Sequence, residues 1–184
     1  RIFVASGDME RSRQAVIRIL SDEQADPARI DAVVSEFLAL HERNGEFLVR
    51  YAALKARGGA MEEALARYGQ ALQHDPSRSG AILAGLERHA WPQELRDAER
   101  LLRVDCLMTA NENAQAFALL GAFPAQDETV VEEVVSRLAV LIARKPRREH
   151  YSLGASLLAR AGRIDAAEDL VAKGRSTLGP EDAL

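Results

Sequence analysis

From Asp26-Pro27 to Arg43 the apolar residues Ile30, Val33, Val34, Phe37, Leu38 and Leu40 recur at intervals of three and four, with Asp31, Glu36, Glu42 and Arg43 mostly between them. That spacing places the apolar set on one face of an α-helix. Asp26 is a suitable N-cap and Pro27 follows it at the first helical position, where its missing N–H costs nothing. The segment Asp127 to Arg144 repeats the logic. Val130, Val131, Val134, Leu138, Leu141 and Ile142 form its buried stripe, and Asp127 and Glu128 sit at the positive helix start. Breaks at Gly7-Asp8, Asp26-Pro27, Asn44-Gly45, Gly58-Gly59, Asp75-Pro76, Trp91-Pro92, Phe123-Pro124, Lys145-Pro146, Ala161-Gly162 and Gly179-Pro180 divide the chain into about ten such segments. No alternation of β-branched and polar residues runs beyond a few positions, so the chain is expected to be all-α.

The helices fall into pairs: 8–21 with 27–43, 45–57 with 60–74, 78–89 with 92–104, 111–122 with 127–144, and 148–161 with 164–178. The pair from Gly45 to Pro76 carries the most regular pattern: Leu48 and Ala52 on the first helix, a turn at Gly58-Gly59, then Ala64, Tyr68 and Ala71 before Asp75-Pro76. Small residues at Ala64 and Ala71 matter because helix backbones approach closely only where no bulky side chain intervenes. A second copy follows 103 residues later, where Tyr151, Ala155, Gly162, Ala167, Val171 and Gly174 take the places of Leu48, Ala52, Gly59, Ala64, Tyr68 and Ala71. Ile30, Val34 and Phe37 lie 34 residues before Ala64, Tyr68 and Ala71, and Ala98 and Leu102 lie 34 after Ala64 and Tyr68.

The stretch Gly45 to Pro76 thereby resembles a tetratricopeptide repeat, a helix hairpin of about 34 residues. It departs from that pattern at Tyr51, where Leu is usual, and at Lys55, where an aromatic is usual. The region Asn111 to Arg144 fits with one or two residues inserted near Phe123-Pro124, and Asp8 to Leu20 fits with a longer turn before Pro27. The resemblance implies a right-handed superhelical solenoid of about five antiparallel helix pairs filling residues 1–184 as one domain. Single hairpins bury too little apolar surface to offset their chain entropy, so neighbours must stack. In such a solenoid the first helix of each pair lines a concave face that takes an extended or helical peptide. The resemblance puts Glu46, Val49, Ala53, Ala56 and Arg57 on that face, followed by Leu83 and Glu87, then Glu149, Ser152, Ser156, Ala159 and Arg160. Family members that clamp a peptide's C-terminal carboxylate use Lys and Asn where this chain has Val49 with Ala53 and Ser152 with Ser156, which argues against that ligand.

Composition narrows the function. Hydrophobic residues make up 47% and aromatics 5%, so the core is built from Ala, Leu, Val and Ile. The formal charge is −4, with acidic and basic residues scattered through the same helices; this is not the basic footprint of a nucleic-acid binder. No apolar run approaches the roughly 20 residues of a membrane helix. Cys106 is the only cysteine and is expected to pack as a small apolar residue, without an internal disulfide. His41, His74, His89 and His150 stand too far apart for any recognised zinc spacing and are expected at surfaces or helix ends. There is no GxSxG elbow or phosphate-binding glycine loop, and the acidic pairs Glu62-Glu63 and Glu132-Glu133 belong to exposed helix faces. Trp91, before Pro92, is expected half-exposed in hinge or core packing. No cofactor, metal or catalytic set is predicted.

The expected function is therefore a protein-protein interaction scaffold that holds a protein or peptide partner. The Ala- and Arg-rich, Lys-poor composition suits a high-GC bacterial genome, and the expected setting is a bacterial assembly, secretion or export system. Two alternatives stand beside it: a non-catalytic repeat arm of a larger enzyme such as a glycosyltransferase or sulfotransferase, and a homo-oligomeric self-assembly module. The start at Arg1, without Met, leads us to expect a piece of a longer chain. The stripe Ile164, Ala167, Leu170 and Val171 on the last helix is where self-assembly would occur. As a check on the repeat register, Ala64→Arg should overpack the hairpin and cost about 1–3 kcal/mol or more. An unchanged melting temperature would contradict that register.

Overall fold

A computed structural model describes residues 9–22, 26–28, 30–31, 34, 43–124 and 127–179. These residues are helical with short turns and include no strand. Nine α-helices are delimited among them: α1 (Met9–Leu20), α2 (Gly45–Arg57), α3 (Met61–His74), α4 (Ser79–Glu87), α5 (Arg96–Thr109), α6 (Asn113–Gly121), α7 (Glu128–Arg144), α8 (Arg148–Arg160) and α9 (Ile164–Leu178). Pro27, Ala28, Ile30, Asp31 and Val34 are helical too. The chain separates into two compact units, residues 1–96 and 97–184.

In the first unit α2 and α3 form a close hairpin, with α1 and α4 packed on α2. Asn44 caps α2, its Oδ1 accepting the Phe47 N–H at 2.9 Å. The residues expected to pack do so: Leu48, Ala52, Ala64, Tyr68 and Ala71 are fully buried. Gly45 lies so close to Asp75 that an added Cβ would run into the Asp75 Cβ and come within 3.0 Å of its Oδ2. Ile30 and Val34 are buried, whereas Val33, Phe37, Leu38, Leu40 and His41 fall outside the described residues.

Tyr51 and Lys55, the two departures from the repeat pattern, share one polar network. Lys55 Nζ lies 2.7 Å from Asp31 Oδ1 and 2.9 Å from Glu63 Oε2, and the Tyr51 hydroxyl donates to Asp31 at 2.8 Å. Burial works to lower the Lys55 pKa, but hydrogen bonds with Asp31, Glu63 and Tyr51 outweigh it and raise the pKa. Lys55 thus ties the segment around Asp31 to both helices of the hairpin by charge, where an aromatic would have done so by packing.

In the second unit α7 packs between α6 and α8, and α8 packs on α9. Asp127 caps α7 through the Thr129 and Val130 N–H groups. Val131, Val134, Leu138 and Leu141 are buried, while Val130 and Ile142 are half-buried at the edges of the stripe. Arg137 holds Asp105 of α5 with a two-point bridge, Nε to Oδ1 at 2.8 Å and Nη2 to Oδ2 at 2.7 Å. Arg144 donates to the Met108 carbonyl at 2.7 Å. Gly154 of α8 leaves room for Leu170 and Leu138; a Cβ there would stand 2.7 Å from Leu170 Cδ2. Cys106 is buried, and burial followed by the nearby Asp105 charge pushes its thiol up to about 12.

Three helix-helix turns close alike. Gly59 and Gly162 have φ of 82° and 79°, and Asn111 has 62°. In each turn the following residue donates back over five positions: Ala60 to Lys55, Glu112 to Leu107 and Arg163 to Leu158, at 2.8–2.9 Å. This is a Schellman closure, which needs the left-handed conformation that Gly adopts freely and Asn tolerates.

The middle of the chain departs from expectation. The helix expected at 92–104 starts at Arg96, after a 3₁₀ turn over Gln93–Leu95, and continues to Thr109. Its buried face contains Glu99, Leu102 and Cys106, whereas Ala98 is exposed, so the 34-residue register slips by one at that position. Glu99 is held by Arg103 one turn on, which makes a buried carboxylate tolerable.

The two kinds of glycine can be separated by experiment. Gly45→Ala should destabilise the chain by about 1–3 kcal/mol through its collision with Asp75. Gly69 lies in the interior of α3 with nothing within 4 Å of a built Cβ. Gly69→Ala should stabilise by roughly 0.5–1 kcal/mol. Thermal melts showing shifts of the same sign would contradict this packing.

Candidate functional site

A cavity of about 540 Å³ opens in the first unit beside the α2–α3 hairpin. Its first wall is α2, where Glu46, Val49, Arg50, Ala53 and Arg57 recur at helical spacing on the face opposite the buried Leu48, Tyr51 and Ala52. The second wall is α4 and the residues after it: Ala81, Ala84, Gly85, Arg88 and His89. Leu20 and Ser21 close one side from the end of α1, and Arg78 another.

The wall is cationic. Among the described residues four guanidinium groups and one carboxylate, Glu46, border the cavity. Glu46 is shared between Arg50, at 3.1 Å, and Arg78, at 3.5 Å. Arg78 also meets Asp75 at 3.1 Å, and Arg50 donates to the Ser21 hydroxyl at 2.6 Å. Arg57 donates to a backbone carbonyl, that of Asp22, at 3.1 Å, a contact that leaves its charge in place. His89 stands edge-on to Trp91, which is buried and anchored by its indole N–H on the Leu86 carbonyl at 2.7 Å. Burial, then the charges of Arg57 and Arg88, hold the His89 pKa below its usual value.

Tyr68 forms part of the cavity lining from α3. Its side chain is fully buried and its hydroxyl has no hydrogen-bond partner among the described residues. An unsatisfied buried polar group costs roughly 1–3 kcal/mol. The hydroxyl lies over Gly85, where any Cβ would stand 2.7 Å from Tyr68 Cζ. Burial pushes the phenol up to about 12, against the opposing influence of Arg88, so it stays protonated and able to donate.

The structure brings Glu46, Val49, Ala53 and Arg57 together on this one wall. Ala56, expected beside them, is buried instead. Leu83 is half-buried and Glu87 exposed, and neither borders the cavity. The face that α4 turns to it is Ala81, Ala84, Gly85 and Arg88, because Ser79, Ile82 and Leu86 occupy the core side. In the second unit Glu149, Ser152, Ser156, Ala159 and Arg160 are all exposed along α8. A cavity of about 500 Å³ in that unit is lined by α7, α9 and Leu158 from the buried side of α8, with Glu132 and Arg163 paired at 2.7 Å. Of the cavity residues that sequence reasoning missed, Arg50 shared the helical stripe of Glu46 and Arg57 and was legible. Tyr68, Arg78, Arg88 and His89 were not, since they come from other elements.

The structure also gives the surroundings of the other described histidines and of the acidic pairs. His74 is exposed, whereas His150, expected at a surface, is buried against Phe117 with ring centroids 4.9 Å apart. Trp91 is buried rather than half-exposed. Glu63 pairs with Lys55, Glu133 with Arg137 and Glu132 with Arg163. Among the described residues no three His, Cys, Asp or Glu side chains are gathered as a metal site, and no helix is long and apolar enough to cross a membrane. No protein-family model matches the sequence, and neither a curated protein nor a solved structure matches it.

The histidines set a pH dependence. His89, and His150 through burial and Arg147, have folded pKa values below the ordinary 6.5. The unfolded chain therefore takes up protons first as pH falls, and stability present above 6.5 is lost as pH drops from there toward the folded values. Melting temperature should fall between about pH 7 and about pH 5.5, and less steeply in His89→Gln. An equal slope in the variant would remove His89 from the account.

Proposed function

We propose that this chain is a helical-repeat scaffold of the tetratricopeptide type that binds a protein or peptide partner through the face bearing Glu46, Val49, Ala53 and Arg57. It acts by binding rather than catalysis, and successive hairpins stack as a right-handed superhelix of about five pairs. The observation that carries the repeat reading is the likeness of two hairpins 103 residues apart. Tyr151, Ala155, Ala167 and Gly174 are buried where Leu48, Ala52, Ala64 and Ala71 are, and Gly162 closes its turn as Gly59 does. Equivalent positions filled by equivalent side chains in two places are the mark of a repeated unit.

The binding reading is supported by the cavity on α2. Its volume lies within the range of ligand pockets, and it combines an apolar floor with a few charged groups, as recognition sites do. A role in a bacterial assembly, secretion or export system belongs to the same proposal. The test is capture from a lysate of the source cell by the full chain and by the double variant Val49→Glu with Arg57→Glu. A partner held by the parent and lost by the variant, with helical content unchanged by circular dichroism, is the expected outcome. Equal capture by both proteins would move the contact off this face, and capture of the chain's own copies alone would replace the adaptor reading with self-assembly.

A further inference from the structure

We propose that the cavity on α2 and α4 is a site for an acidic peptide segment: apolar side chains settle on Val49, Ala53 and Ala84 while a carboxylate is held by Arg57 and the Tyr68 hydroxyl. This rests on the binding reading above and specifies its ligand. Charge comes first. Among the described residues four guanidinium groups border the cavity; Glu46 and Asp75 engage Arg50 and Arg78, whereas Arg57 donates to a backbone carbonyl and keeps its charge, which favours an anion before contact and orients it on arrival.

Hydrogen bonding comes second. The Tyr68 hydroxyl is a buried donor with no acceptor among the described residues, so an arriving carboxylate can satisfy it without breaking an existing bond. Gly85 is what makes room for the hydroxyl, since a Cβ there would displace the ring, and both residues belong to the cavity lining. A guanidinium and a phenol converging on a carboxylate supply two charge-assisted bonds.

Shape separates a peptide from a small anion. Val49, Ala53, Ala81 and Ala84 put apolar surface between the cations, and a cavity of about 540 Å³ holds several side chains. A lone phosphate would leave that floor wet, whereas a chain mixing leucine or alanine with glutamate covers both kinds of surface.

The test uses the full chain and a short fluorescein-labelled peptide pool of Leu, Ala and Glu with blocked ends, beside a pool with Gln in place of Glu. Fluorescence polarisation should show the Glu pool binding about tenfold more tightly than the Gln pool, with the difference shrinking as salt rises. Arg57→Gln should weaken the Glu pool and spare the Gln pool. Tyr68→Phe is the sharper variant: it removes an unpartnered hydroxyl, so it should melt no lower than the parent, yet bind the Glu pool about tenfold more weakly. Equal binding of the two pools, or a Tyr68→Phe variant with parental affinity, overturns the proposal. Displacement of the Glu pool by inorganic phosphate at equal concentration overturns the peptide in favour of a small-anion site. A partner captured through Val49 and Arg57 alongside equal binding of the two pools sinks the acidic ligand alone, whereas a Glu preference with no partner captured counts against the scaffold.

Discussion

Missing side-chain volume at a few contact points is what the packing in each unit depends on. Gly45 lets the start of α2 meet Asp75 at the end of α3, and Ala52, Ala64 and Ala71 keep that hairpin close along its length. Gly85 receives the Tyr68 ring, and Gly154 receives Leu170. Protein interiors are packed at crystal-like density, so one added methyl at such a point must move a neighbour that has nowhere to go. The ring that fills the space over Gly85 belongs to a residue of the cavity lining, so a packing constraint and the cavity wall share one contact.

Polar groups do a different job. In the first unit Lys55 joins Asp31 and Glu63, and in the second Arg137 joins Asp105 and Glu133. Each is a cation between two carboxylates, set on the flank of a helix whose opposite side is apolar. Exposed ion pairs contribute little, but a cation shared by two partners fixes the rotation of one helix against another. The cavity wall shows the reverse arrangement: at Glu46 two guanidinium groups share one carboxylate.

Helix existence and burial were legible because amphipathic spacing is a local property. The stripe Val131, Val134, Leu138 and Leu141, the acidic helix start at Asp127 and the buried Ala64 and Ala71 could be read before any fold was known. Three things were not legible for one reason, namely that each depends on a neighbour distant in the chain. Glu99 is buried where Ala98 was expected; Leu83 and Glu87 face away from the cavity; and Glu149, Ser152, Ser156 and Arg160 line no cavity described here. For Glu99 and for Leu83 and Glu87 the repeat register was carried across segments whose turns differ from those of the Gly45 hairpin, and a shift of one residue rotates a helix face by more than a quarter turn; in α8 the register held, and whether its exposed face borders a cavity depends on neighbouring elements.

The amino-acid sequence by itself determined the helices, the Asp26 cap, the turns at Gly59 and Gly162 and the small residues that permit close pairing, since these follow from spacing and backbone chemistry within a few residues. It also placed Glu46, Val49, Ala53 and Arg57 on one face. Only the tertiary structure decided what that face meets: Tyr68 from α3, Arg88 and His89 beyond α4, and Arg78 between those two helices. A binding surface is a property of side chains from separate elements brought within a few ångströms, and no local periodicity encodes that distance.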